Sequence, residues 1–384
     1  MNKIEKLIKE LCPNGVEWKK LGEICTIVAG GDVPDNTIKG MIPDETHSFP
    51  IYSNGIGSKS LYGFTDSYKI DKESVTISAR GTIGWHCVRS KYFTPIVRLI
   101  TLIPNDSIIT ADFLNVSLFA INIEGSKGGI PQLTVPNVKD IQIPLPPLPI
   151  QTEIVRILDK FVEQQEQLER LIELRKKQYE YYREEMLKPK EGEKWETVTI
   201  GELGNITRGR RFVRDDVRDS GMPCIHYGDM YTYYGITAKT TKTFLDRDFP
   251  KKMQYAKKGD VVVVGAGEND LDIGVGTVWD GEEQAAVHDA CYILEHKQNP
   301  KYIAYFLRTN NYHQQLRKYV SDGKICSISS KGLGSCFIPI PSLTKQQEIV
   351  DFLDKFEQNL LDLKSALEQS KARYEYYRDK MMRF

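Results

Sequence analysis

The sequence predicts a mixed α/β (α+β) chain in which two globular modules alternate with two long helices, the helices clasped as an antiparallel intramolecular coiled coil about a pseudo-twofold axis. An ungapped internal repeat is the first observation behind this. Ile143 to Met186 realigns on Ile338 to Met381, and about 20 of the 44 positions are identical, where chance gives roughly three. The second is periodicity, because large apolar residues recur at steps of four and three through both copies. The third is what precedes each repeat. The upstream stretches diverge, yet they open alike, with LGEICTIVAGG at Leu21 and IGELGNITRGR at Ile200, and the second module carries about 16 extra residues. Each half is a variable module followed by a constant tail.

A chain of 384 residues with 40% hydrophobic content can bury two ordinary cores. Lysine plus arginine and aspartate plus glutamate both total 52, so there is no strongly basic coat, although local patches remain open. Seven cysteines without a CxxC pair suit a reducing compartment. The N-terminal MNKIEKLIKELC is charged throughout, and no apolar run approaches the roughly 20 residues of a membrane span. The expectation is a cytoplasmic protein without membrane association.

Within the modules, FPIYSNG at Phe49 matches MPCIHYG at Met222, and KESVTISARGTIGW at Lys72 matches KGDVVVVGAGENDLDIGVGTVW at Lys258. β-Branched runs at residues 75–77 and 261–264 predict core strands. TADFLNVSLF and PKYIAYFLRT read as helices packed on them. The glycine segments Gly81 to Gly84 and Gly265 to Gly276 could cradle phosphate through backbone amides, but ordinary tight turns fit them better.

In the first tail the predicted seam is Ile154, Leu158, Phe161, Leu168, Ile172, Tyr179, Tyr182 and Met186, interrupted by Gln165 and Arg175. In the second it is Ile349, Leu353, Phe356, Leu360, Leu363, Leu367, Tyr374, Tyr377 and Met381, interrupted only by Ser370. A proline-rich stretch precedes each helix, Thr344 with Gln347 has capping-box spacing, and Lys188-Pro189 ends the first helix. Leaving either stripe exposed would forfeit roughly 1.5 kcal/mol or more per side chain, so the two pack on each other. Antiparallel packing sets Gln165 against Ser370, whereas parallel packing sets Gln165 against Leu360, and the former is preferred. A helix of about 36 residues is roughly 54 Å long, a length suited to separating two DNA half-sites.

The phrases IPLPPLPIQTEIVRILDKF, YEYYREEML and LCPNGVEWKKLGEI resemble the specificity subunit of type I restriction-modification systems, and the likeness runs over essentially the whole chain. That resemblance implies a target-recognition domain at 1–149, a central helical repeat at 150–187, a second target-recognition domain at 188–341 and a C-terminal helical repeat at 342–384. It implies double-stranded DNA with a bipartite sequence as the ligand. Two methyltransferase subunits would dock on the repeats, joined by a restriction/translocase subunit. This chain would bind no cofactor itself, S-adenosylmethionine, ATP and Mg being carried by the partner subunits.

For DNA contacts the densest candidate is ITRGRRFVRDDVR, with Arg208, Arg210, Arg211 and Arg214, since arginine serves both phosphate anchoring and guanine reading. Arg218 and the nearby Asp215, Asp216 and Asp219 leave a self-neutralised loop open. Lys239, Lys242, Lys251 and Lys252 form a second group. The first module offers Lys59, Arg80 and Lys127, beside Arg89 and Lys91. Tyr181 and Tyr376 point away from the seam and are assigned to partner binding.

Catalytic vocabulary is missing: there is no (Asp/Asn)-Pro-Pro-(Tyr/Phe) tetrapeptide, no cofactor loop and no paired-acid nuclease core. Glu268, Asp270 and Asp272 in GENDLD read as a polar turn rather than a metal site, and the six histidines form no ligand pair. The expectation is a non-catalytic subunit without a metal. Two rivals stay open, a coiled-coil adaptor that ignores DNA and a DNA-modifying enzyme with an unrecognised site. Steeply salt-dependent duplex binding separates the first, and modification by the isolated chain would reveal the second.

Overall fold

The structure is a computed structural model describing residues 3–121, 123–124, 131–249, 252–268, 272–321, 323 and 325–384, with the backbone alone at position 231. The chain divides into two compact units, Met1–Glu169 with Ser365–Phe384, and Arg170–Lys364. The central helix, Leu148–Met186, and the distal helix, Leu343–Met381, each contribute one part to either unit.

Unit 1 holds a four-stranded antiparallel sheet in the order Cys25–Ala29, Ile100–Pro104, Ser74–Ile77, His86–Arg89. Ser74–Ile77 has a neighbour on both sides and all four of its residues are buried, which is why its sequence is apolar or hydroxylic rather than alternating. A second sheet runs Thr37–Lys39, Leu61–Thr65, Phe49–Tyr52, Thr94–Pro95, and its last two strands are parallel. Helix Ala111–Phe119 opens on Thr110, whose side chain accepts from the Phe113 amide. Just before the central helix, Gln142–Pro144 pairs with Trp18–Lys20.

Unit 2 repeats this plan. Its larger sheet is Gly204–Arg208, Cys291–His296, Val261–Val264, Gly276–Trp279 and Thr237–Ala238. Its smaller one is Thr243–Leu245, Met222–Ile225, Ala285–Val287 and Tyr255–Ala256, with the parallel pair here at its centre. Helix Pro300–Phe306, capped by Asn299, covers the sheet through buried Tyr302, Ile303 and Phe306. Glu196–Thr199 pairs with Phe337–Ile340 ahead of the distal helix. The core strands and covering helices expected from the sequence all form.

The helices pack antiparallel, and each unit shows it independently. In unit 1, Ile154 and Leu158 share a core with Tyr374 and Met381, the Phe161 and Tyr377 rings stack at 5.6 Å, and Lys371 lies 3.6 Å from Glu169. In unit 2, Tyr179 and Met186 share a core with Ile349 and Leu353, and the Tyr182 ring lies 5.4 Å from Phe352 and 5.3 Å from Phe356. Of the remaining seam residues, Ile172 and Leu360 are buried and Leu363 half-buried in unit 2, while Leu367 is buried and Leu168 half-buried in unit 1.

Three details differ from expectation. Tyr377 is 40% exposed, because its stack on Phe161 covers one ring face only, while Met382 supplies burial one turn on. Gln165 and Ser370 are both inward, but the Gln165 Nε2 and Ser370 Oγ atoms are buried without a hydrogen bond, so the polar pair is not closed. The distal helix is capped by Ser342, whose hydroxyl accepts from the Lys345 amide at 3.3 Å, and Thr344 lies inside the first turn.

Two glutamines related by the repeat fasten the helix starts. Gln151 is fully buried and donates to the carbonyls of Pro146 (2.8 Å) and Ile108 (2.7 Å) while accepting from the Thr110 amide (3.1 Å). Gln346, equally buried, donates to the Pro341 carbonyl (2.8 Å) and to Gln298 Oε1 (2.9 Å) and accepts from the Asn299 amide (3.0 Å). A side-chain amide supplies two donors and an acceptor together, whereas a carboxylate has no donor and a hydroxyl only one.

Burial also sets a pH dependence. It pushes the imidazoles of His86, His226, His288, His296 and His313 below the ordinary histidine range. The unfolded chain then binds protons more readily, so this stability is complete above about pH 6.5 and falls as pH drops toward the folded values. Melting curves should show a lower Tm at about pH 6 than at about pH 7.5. An unchanged or higher Tm at the acidic point would contradict it.

Candidate nucleic-acid interface

The site is built where the chain crosses between the two sheets of unit 2. Arg208 ends the first strand opposite Tyr292, after which the Gly209 amide donates to the Cys291 carbonyl (3.0 Å) and the Arg210 amide to that of Val287 (2.9 Å). A Cβ on Gly209 would lie 2.2 Å from the His288 carbonyl oxygen, so the crossing admits only glycine. Phe212, 1% exposed, then anchors the loop.

The parallel pairing of Ile225 with Val287 sets the following residues, His226 and His288, side by side with ring centroids 4.7 Å apart. Phe212 meets His288 edge-on at 4.9 Å and Tyr227 lies 4.4 Å from His226. His288 Nε2 donates to the Phe212 carbonyl at 3.1 Å, and its Nδ1 accepts from the Ala290 amide at 3.1 Å, which fixes a neutral tautomer. These four rings floor a cleft of about 440 Å³ whose rim carries Arg208, Arg211 and Arg214.

Arg208 is oriented by a 2.7 Å bond from Nε to the Asp289 carbonyl. None of Arg208, Arg210, Arg211 and Arg214 forms an ion pair with a described residue, and all are exposed. The self-neutralised loop therefore does not form. Asp216 instead accepts from the Val213 amide (2.8 Å), and Arg218 alone is spent, 3.1 Å from Asp246 and bonded to the carbonyls of Asp215 and Val217. Glu268 and Asp289 also line the cleft, so three guanidinium groups face two carboxylates.

The other predicted contacts are dispersed. Arg210 does not line the cleft. Lys239 lies 3.9 Å from Asp280, and Lys242 sits 4.0 Å from Asp229 and 5.8 Å from the Tyr233 ring. Lys252 is exposed, and Lys251 lies outside the described residues. In unit 1, Lys59 is exposed on the short turn Gly57–Ser60, Arg80 donates to Gln132 at 3.0 Å, and Lys127 lies outside the described residues. Arg89 is structural, stacked 3.8 Å from the Tyr52 ring centroid and bonded to Thr76 and Ser60. Asp270 of GENDLD is likewise outside the described residues, and no cluster able to hold a metal occurs among those described. No described helix is long and apolar enough to cross a membrane.

Sequence reasoning missed the histidine pair, the anchoring glutamines and one further element. In unit 1, Tyr52 pairs in parallel with Pro95, and the Ile96 amide donates to the Tyr52 carbonyl at 2.9 Å, as His288 does to Ile225 at 3.1 Å. Gly30 crosses there as Gly209 does, its amide 2.8 Å from the Leu99 carbonyl. The corresponding loop in unit 1 is therefore Val97-Arg98, where unit 2 has Asp289-Ala290.

A duplicated plan of globule and helix, with a cationic, aromatic-floored cleft at a sheet crossing, defines a two-module nucleic-acid recognition protein. The profile of the type I restriction modification DNA specificity domain matches residues 13–176 and 192–370. A Haemophilus influenzae protein named for the type I restriction enzyme specificity subunits is 27% identical over 99% of this chain and 98% of its own length. The Escherichia coli EcoR124I/EcoR124II specificity subunit is 26% identical over 100% of this chain and 97% of its own. Among solved structures, the S subunit from M. genitalium aligns with a TM-score of 0.55 at 16% identity over 97% of both chains. A chain from a type I restriction-modification assembly aligns at 0.58 and 18% identity, covering 96% of this chain and 97% of its own. The chain belongs to the type I restriction-modification DNA specificity family. It is a DNA-recognition subunit that assembles with other restriction-modification subunits, in which the catalytic activity lies.

Proposed function

We propose that this chain reads a bipartite duplex, one half-site per globule, and holds two methyltransferase subunits that modify an adenine in each half. The observation that carries the reading is the cleft of unit 2, where Arg208, Arg211 and Arg214 stand exposed over an aromatic floor, without an ion pair to any described residue. Guanidinium groups so placed can bind phosphate or donate in pairs to guanine. Glu268 and Asp289 in the same cleft can accept from the amino group of cytosine and repel phosphate that enters at the wrong place. S-adenosylmethionine, ATP and Mg belong on the partner subunits, a restriction/translocase subunit completes the assembly, and the cytoplasm is its location. Mapping methylated adenines in host cells with and without the gene tests the reading. The expected result is a split motif whose two parts vanish together, and a continuous motif, or none, would reject it.

Partner docking is assigned to Tyr181 and Tyr376, equivalent in the repeat and each 60% exposed. Their double substitution Tyr181→Ala, Tyr376→Ala should weaken methyltransferase association at least about tenfold, since buried tyrosines often dominate interfaces. The seam tyrosines beside them stay in place, so circular dichroism should be unchanged. Wild-type association by the double variant would remove both residues from the interface.

A further inference from the structure

We propose that Val97 and Arg98 are specificity-determining residues of the first globule, reading a thymine and an adjacent guanine in the half-site assigned to unit 1. This rests on the bipartite reading above and goes beyond it by naming the residues and the bases. Three observations meet at this loop.

The first is position. The Leu99 amide donates to the Ile96 carbonyl at 3.0 Å and the Cys291 amide to the His288 carbonyl at 2.9 Å, so Val97-Arg98 occupies the place of Asp289-Ala290. Both of those residues line the arginine cleft of unit 2.

The second is strain. Val97 has φ 51° and Arg98 φ 59°, and with Tyr92 at 70° they are the only non-glycine residues of positive φ among those described. A β-branched residue in the left-handed region is a genuine outlier, because its Cβ crowds the following carbonyl. Surrounding bonds enforce it. The Val97 amide donates to the Gly31 carbonyl (2.8 Å), the Arg98 amide to that of Gly30 (3.0 Å), and Asn54 Nδ2 to the Val97 carbonyl (2.8 Å). Packing rewards valine little here, because the residue is 49% exposed rather than core. Glycine would relieve the conformation at little cost in contacts, so a valine held this way signals a use outside the fold.

The third is chemistry. Arg98 is exposed and makes no ion pair with a described residue, and it stands beside an exposed apolar group on a rigid backbone. An apolar side chain contacts the thymine methyl and arginine donates in pairs to guanine O6 and N7, so adjacent residues can read adjacent base pairs in the major groove. A loop whose amides are already engaged presents both side chains with little ordering left to do.

The test compares the methylated motif in cells carrying the wild-type gene, Val97→Gly and Arg98→Ala, followed by binding of the full chain to duplexes of that motif. Val97→Gly should relax one thymine position and Arg98→Ala one guanine position, both in the same half. Affinity for the intact duplex should fall about 10- to 100-fold for Arg98→Ala and about 3- to 10-fold for Val97→Gly, while Tm for Val97→Gly is unchanged or raised. A purely structural loop would give the reverse, lost Tm with the motif intact, and would overturn the proposal. So would relaxation spread over both halves. A wild-type gene that leaves no split motif would fail the bipartite reading itself, a result seen before any variant is made.

Discussion

Replacing Arg208, Arg211 and Arg214 together with alanine lowers affinity for the cognate duplex by about 100-fold or more at physiological salt. Each arginine in contact with a base or phosphate contributes about 1–3 kcal/mol, and three on one rim sum to at least two decades. The same change flattens the slope of log affinity against log salt by roughly two to three, because each phosphate neutralised releases close to one counterion. Folding is spared, since the side chains are exposed and, among the described residues, only Arg208 loses a bond, that to the Asp289 carbonyl. Arg218→Ala is the matched control. Its guanidinium is occupied by Asp246 and two carbonyls, so its loss should leave binding within about twofold of wild type. An unchanged salt slope in the triple variant would take the cleft out of the interface.

Gln346→Leu destabilises unit 2 by about 3 kcal/mol, and Gln151→Leu does the same for unit 1. Leucine matches the volume of glutamine but leaves the Asn299 amide and the Pro341 carbonyl without their partner in the first case, and the Thr110 amide with the Ile108 and Pro146 carbonyls in the second. Buried groups so abandoned cost about 1–3 kcal/mol each, partly relieved by relaxation. Urea unfolding should show the midpoint falling at constant slope. Gln347→Ala, which loses the exposed contacts to Asn299 and Asp351, should cost under about 1 kcal/mol. If Gln346→Leu behaved like Gln347→Ala, the helix start would not depend on its buried amide.

The helices were legible because their signal is long and local. Ten seam steps in each of two copies average out the polar exceptions at Gln165, Arg175 and Ser370, and the proline-rich approach marks where each helix starts. Val261–Val264 was legible for another reason, since a strand enclosed on both sides reads as an unbroken apolar run. The histidine floor was not legible. His226 and His288 follow strands of only four and three residues, and it is their parallel pairing, a long-range event, that sets the rings together. Val97-Arg98 was hidden likewise, because a positive φ at valine has no sequence signature and is imposed by Gly30, Gly31 and Asn54 from elsewhere. The arginine cluster stood out in sequence, but which of its members were free depended on Asp216 turning to Val213 and Arg218 to Asp246.

Because unit 1 takes in Ser365–Phe384 while unit 2 is the unbroken stretch Arg170–Lys364, order of synthesis and order of completion are reversed. The half that leaves the ribosome first stays open, with Ile154 and Leu158 lacking Tyr374 and Met381, until the whole of the other half has emerged. A nascent chain stalled with Lys364 just outside the exit tunnel should therefore resist protease across unit 2 and remain cleavable within unit 1. Early protection of unit 1 would mean that its globule closes without the distal segment.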